Sequence, residues 1–401
     1  MRQTVIILSY CFLILCFPSL TMAQKKAASC VMDAETNLPI GLVTIISSVD
    51  YSITNSEGEF SLKVQDNDVI KLSHISYHPK QISHQQLKDT IFLEPKIIQL
   101  AEVLVMPKNI IAKELTAVWK RYDNLFSENY TRSFPYRTYY YRQLTQNNDL
   151  YTEYMECFFT AQTGTSIMEM SLQEGRYAGI KKDSLEKVTN FFYISQVHPF
   201  SQLSAKKRNA LNCFLVKDFE KYYNIYISRI ISPKSDDEVK VYEFVPINEQ
   251  IGKNATMLAG FLYIRTKDLS IIRMEANTTQ LNVTGIPDIR NKKYNFTVTY
   301  QDGISIYPVV ETVVCELEIN HQIGNKENKM RLYSTLFATD YDFKSSGKKM
   351  KKTDFLLKKV ADSELNQEFW DNNPIIKRTK IEQQVVDDFN KLGYFGSMNI
   401  N

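Results

Sequence analysis

Polar and apolar residues alternate with a period of two over several short stretches between residues 29 and 106. Phe60, Leu62 and Val64 fall on one side of such a stretch, and residues 69–75 repeat the pattern. Polar turns at 36–39, 55–58 and 65–68 separate the stretches, and Gly58 can adopt a positive φ at little cost. Short strands with polar turns are typical of a β-sandwich, so the pattern predicts one here.

The same segment resembles the carboxypeptidase regulatory-like domain of exported Bacteroidetes proteins. The resemblance covers about a fifth of the chain and depends on stretches that match in order: Val31-Met32-Asp33, Leu38-Pro39-Ile40, Thr54-Asn55-Ser56-Glu57-Gly58-Glu59-Phe60, Leu72-Ser73-His74-Ile75-Ser76-Tyr77, Ile91-Phe92-Leu93 and Leu100-Ala101-Glu102-Val103-Leu104-Val105. Ser29 and Ser76 stand where the family usually has glycine. The resemblance implies a seven-stranded, transthyretin-like sandwich over 29–106. It implies no activity, because this domain is an appendage of enzymes, receptors and transporters alike.

A helix and a larger β domain are predicted to follow. Apolar residues recur at helical spacing over 109–126, which predicts an amphipathic helix in a linker of residues 107–134. Residues 135–343 are rich in long alternating stretches, and we assign no regular structure to 166–208. The predicted strands are 136–144, 150–160, 222–231, 239–245, 257–265, 270–277, 294–300, 306–318 and 330–339.

This second region resembles the one that follows the regulatory-like module in many exported Bacteroidetes proteins. It is also distantly similar to the half-barrel of periplasmic lipoprotein carriers, in which a curved antiparallel sheet wraps a helix. The fold class is therefore expected to be mainly β: a small sandwich, then a larger curved antiparallel sheet with a few helices.

Residues 344–401 are predicted to form a basic loop and a C-terminal helix. Thr379 and Glu382 have the spacing of a capping box, and Gly393 can end the helix in the left-handed conformation. Val385 and Phe389 lie on one apolar face, which needs a partner surface, expected to be the larger domain.

Residues 1–23 have the features of a cleaved leader. Arg2 precedes an apolar run over 5–17 that is too short for a stable membrane anchor, and cleavage is expected before Gln24. Cys11 and Cys16 follow bulky residues, which disfavours a lipoprotein. No later apolar run is long enough for a transmembrane segment, so the sequence predicts an exported protein of the periplasm or cell surface.

Net charge and cysteine content exclude few classes of partner or of disulfide pairing. The formal net charge of +3 is too small to indicate a nucleic-acid partner. After cleavage four cysteines remain, Cys30, Cys157, Cys213 and Cys315, which permit three disulfide pairings or buried free thiols. Aromatic residues make up 12% of the chain, which favours half-buried sheet surfaces.

No motif in the sequence predicts a catalytic, cofactor-binding or metal-binding residue. None of the five histidines is followed by a glutamate three positions on, as the metal site of a zinc carboxypeptidase would require. There is no HExxH, GxSxG, P-loop or GxGxxG. His74, His78 and His84 are expected to be ordinary histidines, because Pro79 should interrupt a strand shared by the first two.

Three further groups of side chains are candidates for binding. Glu153 and Glu156 lie on opposite faces of a predicted strand, so they are expected to be solvated or to pair with Arg137 and Arg142 across strands. Two aromatic stretches could line an apolar groove or pack in the sheet. The lysine-rich run 348–352, with the lysine pair at 358–359, could meet anionic partners or be solvated. These side chains are Tyr136, Tyr139, Tyr140, Tyr141, Phe191, Phe192 and Tyr193, and Lys348, Lys349, Lys351, Lys352, Lys358 and Lys359.

The sequence thus favours a non-catalytic exported protein that binds an envelope protein, a hydrophobic ligand or a glycan, without a cofactor. The alternatives are a half-barrel carrier of a lipid or other hydrophobic ligand, which needs a deep apolar cavity, and a hydrolase, which needs converging titratable side chains.

Overall fold

The computed structural model of the chain describes residues 25–100, 108–128, 136–163, 167–180, 218–251, 258–278, 289–301, 309–323, 326–339, 343, 347–350, 356–372 and 377–395. The chain divides into two compact units, Met1–Leu93 with Ile375–Lys377, and Glu94–Pro374 with Arg378–Asn401. The predicted leader, the aromatic residues 191–193 and Cys213 lie outside the described residues.

The first unit is a sandwich of two sheets. Its strands are β1 (Lys25–Asp33), β2 (Thr44–Ile46), β3 (Tyr51–Ile53), β4 (Glu59–Val64), β5 (Val69–His74), β6 (Tyr77–Ser83) and β7 (Thr90–Leu93). One sheet has the order β4-β1-β7 and the other β3-β2-β5-β6, and β1 and β7 are parallel neighbours while the other pairs are antiparallel. The fold class expected for this segment is confirmed.

The alternating residues of β4 fill the sandwich core as the sequence pattern predicts. Phe60, Leu62 and Val64 are buried in one cluster with Val31 of β1. Gly58 begins this strand with φ 73°, and a Cβ there would come to 2.4 Å from the Val31 carbonyl oxygen. Glycine is therefore required at this turn by conformation and by space.

The histidine region differs from its prediction in one respect. Pro79 does not end a strand: β5 ends at His74, and β6 runs from Tyr77 to Ser83 through Pro79. This is possible because β6 is an edge strand paired with β5 alone, where a missing backbone N–H is tolerated.

The second unit is built on one large antiparallel sheet. Its strands are β8 (Ile98–Leu100), β9 (Tyr136–Asn147), β10 (Leu150–Thr163), β11 (Ile167–Gly179), β12 (Tyr223–Ile231), β13 (Val239–Pro246), β14 (Ala259–Arg265), β15 (Ser270–Thr278), β16 (Ile289–Gln301), β17 (Val309–Ile323), β18 (Lys326–Thr339) and β19 (Lys348–Lys349). The 12 strands are ordered β19-β11-β10-β9-β18-β17-β16-β15-β14-β13-β12-β8.

Two elements of this sheet depart from the sequence-based expectation. The sequence predicts no regular structure for residues 166–208, yet β11 occupies Ile167–Gly179 and pairs with β10 along its length; residues 181–208 lie outside the described residues. The stretch Leu100–Val105 is expected to close the sandwich, but residues 101–105 lie outside the described residues, and β8, which ends at Leu100, pairs with Arg229–Ile231 of the large sheet. The boundary between the units accordingly lies at Leu93 and not at residue 106.

The large sheet packs against its longest helix. The helices of this unit are α1 (Lys108–Glu128), α2 (Asn248–Ile251), α3 (Leu356–Ala361), α4 (Gln367–Asn372) and α5 (Lys380–Lys391). One buried cluster joins α1 to residues of the strands from β9 through β18, so the helix and this face of the sheet share a core.

We call the sheet face that packs against α1 the inner face and the opposite face the outer face. Ile111, Leu115, Val118 and Tyr122 recur at helical spacing and are buried against the inner face. Polar contacts fix the helix in addition, because Glu114 accepts hydrogen bonds from Lys240 and from the Tyr242 hydroxyl, each at 2.6 Å. The predicted amphipathic helix over 109–126 is confirmed.

Tyr122 offers a test of how α1 is held. Its hydroxyl accepts a hydrogen bond of 2.8 Å from the backbone N–H of Ile271 in β15. Tyr122→Phe should lower the free energy of unfolding by about 1–3 kcal/mol, because a buried N–H loses its acceptor. Urea denaturation measures the change, and Tyr226→Phe at an exposed position of the same unit is the control, expected to cost less than about 0.5 kcal/mol. Equal costs for the two variants would contradict this role of Tyr122.

The C-terminal residues cover the outer face of β9 to β11. Thr379 and Glu382 form the predicted capping box of α5, and Gly393 has φ 65° after it. Val385 and Phe389 pack with Tyr154 of β10 in one buried cluster. The expected partner surface of this helix is therefore confirmed as the larger domain.

The short helices α3 and α4 have no counterpart in the sequence-based prediction. Helix α3 packs on the inner face at Gly175, where a Cβ would come to 3.0 Å from Val360 Cγ1. Part of the predicted basic loop is also ordered, since Lys348 and Lys349 form the edge strand beside β11. Lysine on an edge strand discourages pairing with other chains.

The described cysteines are free thiols. Cys30 is half-buried in the sandwich, and Cys157 and Cys315 are buried in the inner-face cluster. Burial raises the pKa of Cys157 well above its usual value and that of Cys315 to about 12. These two thiols are therefore protonated and chemically inert at neutral pH. Among the helices described, none combines the length and apolar character needed to cross a bilayer.

Candidate functional site

A groove of about 310 Å³ opens on the outer face across strands β14 to β17. Backbone register brings its side chains together, because Glu275 pairs with Thr297 and Asn277 with Asn295 on adjacent strands. Asn295 in turn pairs with Glu316 on β17. Its lining consists of Gly260, Phe261, Glu275, Ala276, Asn277, Asn295, Phe296, Thr297, Val314 and Glu316.

The backbone of Gly260 lines one end of the groove. It has φ 149°, and a Cβ there would lie 2.1 Å from the carbonyl oxygen of Glu275. A glycine within a strand often marks a close approach of backbone or ligand. Next to it, the ring of Phe261 is half-exposed, and the Arg229 guanidinium lies 5.3 Å from its centroid.

Glu275 is held in place by its neighbours. Its carboxylate lies 2.8 Å from Nε of Arg273 and accepts a hydrogen bond of 2.9 Å from the Tyr263 hydroxyl. Tyr263 also accepts a hydrogen bond from Arg229. Burial, and then the charge of Glu275, raise the pKa of Tyr263 to about 12, so this hydroxyl stays protonated and donates. The carboxylate of Glu275 is thus fixed as an acceptor at the groove wall.

Glu316 is arranged differently at the opposite wall. It accepts one hydrogen bond, of 3.4 Å, from the side-chain amide of Asn295. Asn295 and Asn277 each present an amide that can both donate and accept. The groove therefore combines the half-exposed ring of Phe261, two carboxylates and two amides.

Another carboxylate with a shifted pKa, Glu156, lies under the C-terminal residues. Glu156 is 1% exposed and accepts hydrogen bonds from Arg176, Tyr140 and Tyr154 on the outer face. Arg378 adds an ion pair of 2.9 Å. A second buried pair, Arg142 with Glu382 at 2.8 Å, ties α5 to β9.

This cluster is structural and not an acid–base centre. Burial alone would raise the pKa of Glu156, but Arg378, Arg176 and the Tyr140 hydroxyl together lower it to about 2. A carboxylate that keeps its charge to such low pH and has no free approach cannot act as a general acid. Of the alternatives drawn from the sequence, solvation is therefore wrong for Glu156.

Glu156 also does not pair with Arg142 as expected, because its ion pairs are with Arg176 and Arg378. Arg142 stands opposite Glu156 in the register, yet its ion pair is with Glu382. Glu153 lies on the opposite face from Glu156, as expected, and accepts a hydrogen bond from Tyr177 at 3.2 Å. Arg137 donates to Gln301 instead of to a glutamate.

The other candidate side chains do not form a site. Tyr139 and Tyr141 are buried on the inner face and Tyr140 on the outer face, which confirms their predicted alternation and assigns them to sheet packing. His74 accepts from Ser76, and its ring contacts Tyr77. Within the residues described, no three His, Cys, Asp or Glu side chains come together as a metal site.

A second groove, of about 420 Å³, lies where α1 begins. Buried Ile111, Phe219 and Tyr223 form its apolar wall, and Lys108 and Glu220 lie at its rim. Its volume lies within the range usual for ligand pockets, about 300–1,000 Å³.

Sequence reasoning missed the outer groove. At period two, Glu275 and Glu316 look like ordinary solvent-facing residues, and only the pairing register brings them to one place. Gly260, inside an otherwise alternating strand, was the one signal in the sequence that could have indicated it.

No protein-family model matches the chain, and no curated protein matches it in sequence. Among solved structures, a DUF1329 family protein from Desulfovibrio piger ATCC 29098 is similar at 8% identity with a TM-score of 0.21, over 58% of this chain and 95% of that one. MucB, in its complex with MucA(peri), is similar at 8% identity with a TM-score of 0.16, over 56% of this chain and 93% of that one. Overlaps with such TM-scores do not show a common fold.

Proposed function

We propose that this chain is a non-catalytic binding component of a bacterial envelope, exported by the leader predicted at residues 1–23. Its ligand is a sugar-containing molecule held in the outer groove. The observation that carries the proposal is the combination of the Phe261 ring, two amides and two carboxylates in a groove of about 310 Å³.

A sugar matches this lining chemically. Its hydroxyl groups donate to carboxylates and both donate to and accept from amides, while its C–H face packs on an aromatic ring. Ligand pockets usually span about 300–1,000 Å³, and the groove lies at the lower end of that range. One or two sugar units are therefore the expected size of the bound group.

The state of the titratable groups supports a binding role over a hydrolytic one. Glu275 is engaged by Arg273 and Tyr263, and Glu156 is enclosed by arginines. The buried thiols of Cys157 and Cys315 are protonated. A glycosidase needs one carboxylic acid with a raised pKa beside a second carboxylate, whereas the pKa of Glu156 is lowered.

The groove at the start of α1 favours a second candidate function, the binding of a hydrophobic ligand. Its wall of Ile111, Phe219 and Tyr223 could accept a short acyl chain or an aromatic group. In that case lipid should co-purify with the protein and be found by mass spectrometry. The hypothesis of sugar binding is preferred because the outer groove offers directional polar contacts in addition to an apolar surface.

Sugar binding is tested by titrating the mature protein with a panel of mono- and disaccharides, followed by saturation-transfer NMR and calorimetry. At least one sugar should bind, and Asn295→Ala should weaken it about tenfold, because a hydrogen-bonding amide is lost. Lys293→Ala, on the same strand but outside the groove, is the matched control and should leave binding unchanged. Failure of every sugar to bind, or cleavage of a glycosidic bond, would overturn the proposal.

A further inference from the structure

The charges at the two walls of the outer groove are unequal. Arg273 balances Glu275, since their charged atoms lie 2.8 Å apart. Glu316 has no ion pair among the described residues, and its neighbour is the neutral amide of Asn295. The groove therefore has one carboxylate, Glu316, that forms no direct ion pair with the cations of the described residues.

Two cations of the neighbouring strand β18, Lys329 and Arg331, are already engaged. Glu318, two residues beyond Glu316 on the same face, lies 2.9 Å from Lys329 and 2.9 Å from Arg331. The residue directly across from Glu316 on β18 is Tyr333, which is neutral. Burial and then the charge of Glu316 raise the pKa of Tyr333, so this hydroxyl does not compete as an anion.

We infer that the groove prefers a sugar bearing an amino group, and that Glu316 is the residue that determines this preference. The inference rests on the proposed sugar binding and specifies its ligand class. An ammonium group placed against Glu316 would form a charge-assisted hydrogen bond, which is stronger than one from a hydroxyl. An acidic sugar would place its carboxylate near Glu316 and be repelled.

A divalent cation fits this position less well. Hard cations take six or more oxygen ligands, and the described residues contain no cluster of three candidate ligands. A single amine needs only one carboxylate and neighbouring acceptors, which Glu316 and the carbonyl oxygens of the Asn277 and Asn295 amides supply.

The experiment compares three ligands of matched shape, the methyl glycosides of glucosamine, glucose and glucuronic acid, at neutral pH. Glucosamine should bind about five to ten times more tightly than glucose, as expected for a half-exposed charge-assisted contact, and glucuronic acid more weakly than either. High salt should reduce the preference, because exposed charges are screened.

Two variants assign the effect to one carboxylate. Glu316→Gln removes the charge and keeps the shape, so it should bring glucosamine and glucose to equal affinity. Glu311→Gln, on the same strand but outside the groove, should keep the preference. Equal binding of the two sugars by the unaltered protein, or a preference that survives Glu316→Gln, would overturn the inference while leaving sugar binding intact. Absence of binding by all sugars would overturn the proposed function itself.

Discussion

Replacing Glu156 with glutamine should destabilise the second unit by about 3–5 kcal/mol, because a buried ion cluster would lose its anion. Arg176 and Arg378 would then be left with positive charge and without a carboxylate partner. The measurement is straightforward, since both tryptophans of the chain, Trp119 and Trp370, lie in this unit and their fluorescence follows its unfolding in urea.

The same substitution should also change how stability depends on pH. The pKa of Glu156 falls from 4.5 to about 2 on folding, so its stabilising effect is complete above pH 4.5 and is lost as the pH drops towards 2. The loss in the unaltered protein amounts to about 3 kcal/mol, at 1.36 kcal/mol for each pKa unit. The Glu156→Gln variant should lack this loss, and Glu243→Gln, at a half-exposed position, should retain it. Unfolding of Glu156→Gln at the urea concentration of the unaltered protein would contradict this role of the cluster.

A second large effect is expected from Gly260→Ala. An alanine there would have an unfavourable backbone conformation at φ 149° and a Cβ 2.1 Å from the Glu275 carbonyl oxygen. Strain of this conformation and overpacking each cost about 1–3 kcal/mol, so the variant should lose about 3 kcal/mol or more. Because β14 or β15 must shift, sugar binding in the groove should also weaken.

Gly393→Ala separates the cost of backbone strain from the cost of overpacking. Gly393 has φ 65°, but a Cβ there meets no atom within 4 Å. Its cost is therefore conformational only, about 1 kcal/mol. If Gly260→Ala lowered the free energy of unfolding no more than Gly393→Ala does, the close approach of β14 and β15 at Gly260 would be contradicted.

Secondary structure could be predicted from the sequence wherever the apolar positions of a segment recur with one regular period. The apolar positions of α1 recur every three or four residues, and the β9–β10 hairpin alternates on either side of a polar turn, so both were predicted close to their observed bounds. In contrast, β11 carries Gly175 and the buried Arg176, neither of which fits an apolar alternation. A larger residue at 175 would press on Val360 of α3, and Arg176 stands opposite Glu156, with which it forms an ion pair.

The groove could not be predicted for a related reason. Its walls come from strands that meet only through pairing, so Glu275 and Glu316 are 41 positions apart in sequence and look alike in a solvent-facing pattern. They differ in their partners: Glu275 forms an ion pair with Arg273, whereas Glu316 accepts a hydrogen bond from the Asn295 amide. Such differences depend on three-dimensional neighbours, which alternation does not encode.

The ion pair between Arg378 and Glu156 joins residues 222 positions apart, and this separation has a kinetic consequence. Contacts between distant residues form slowly because a long loop must close first. Until the segment around Arg378 docks, a nascent or partly folded chain leaves Glu156 and Tyr154 open to water on the bare sheet. The second unit should therefore reach its final state late, with the docking of α5 as the concluding step.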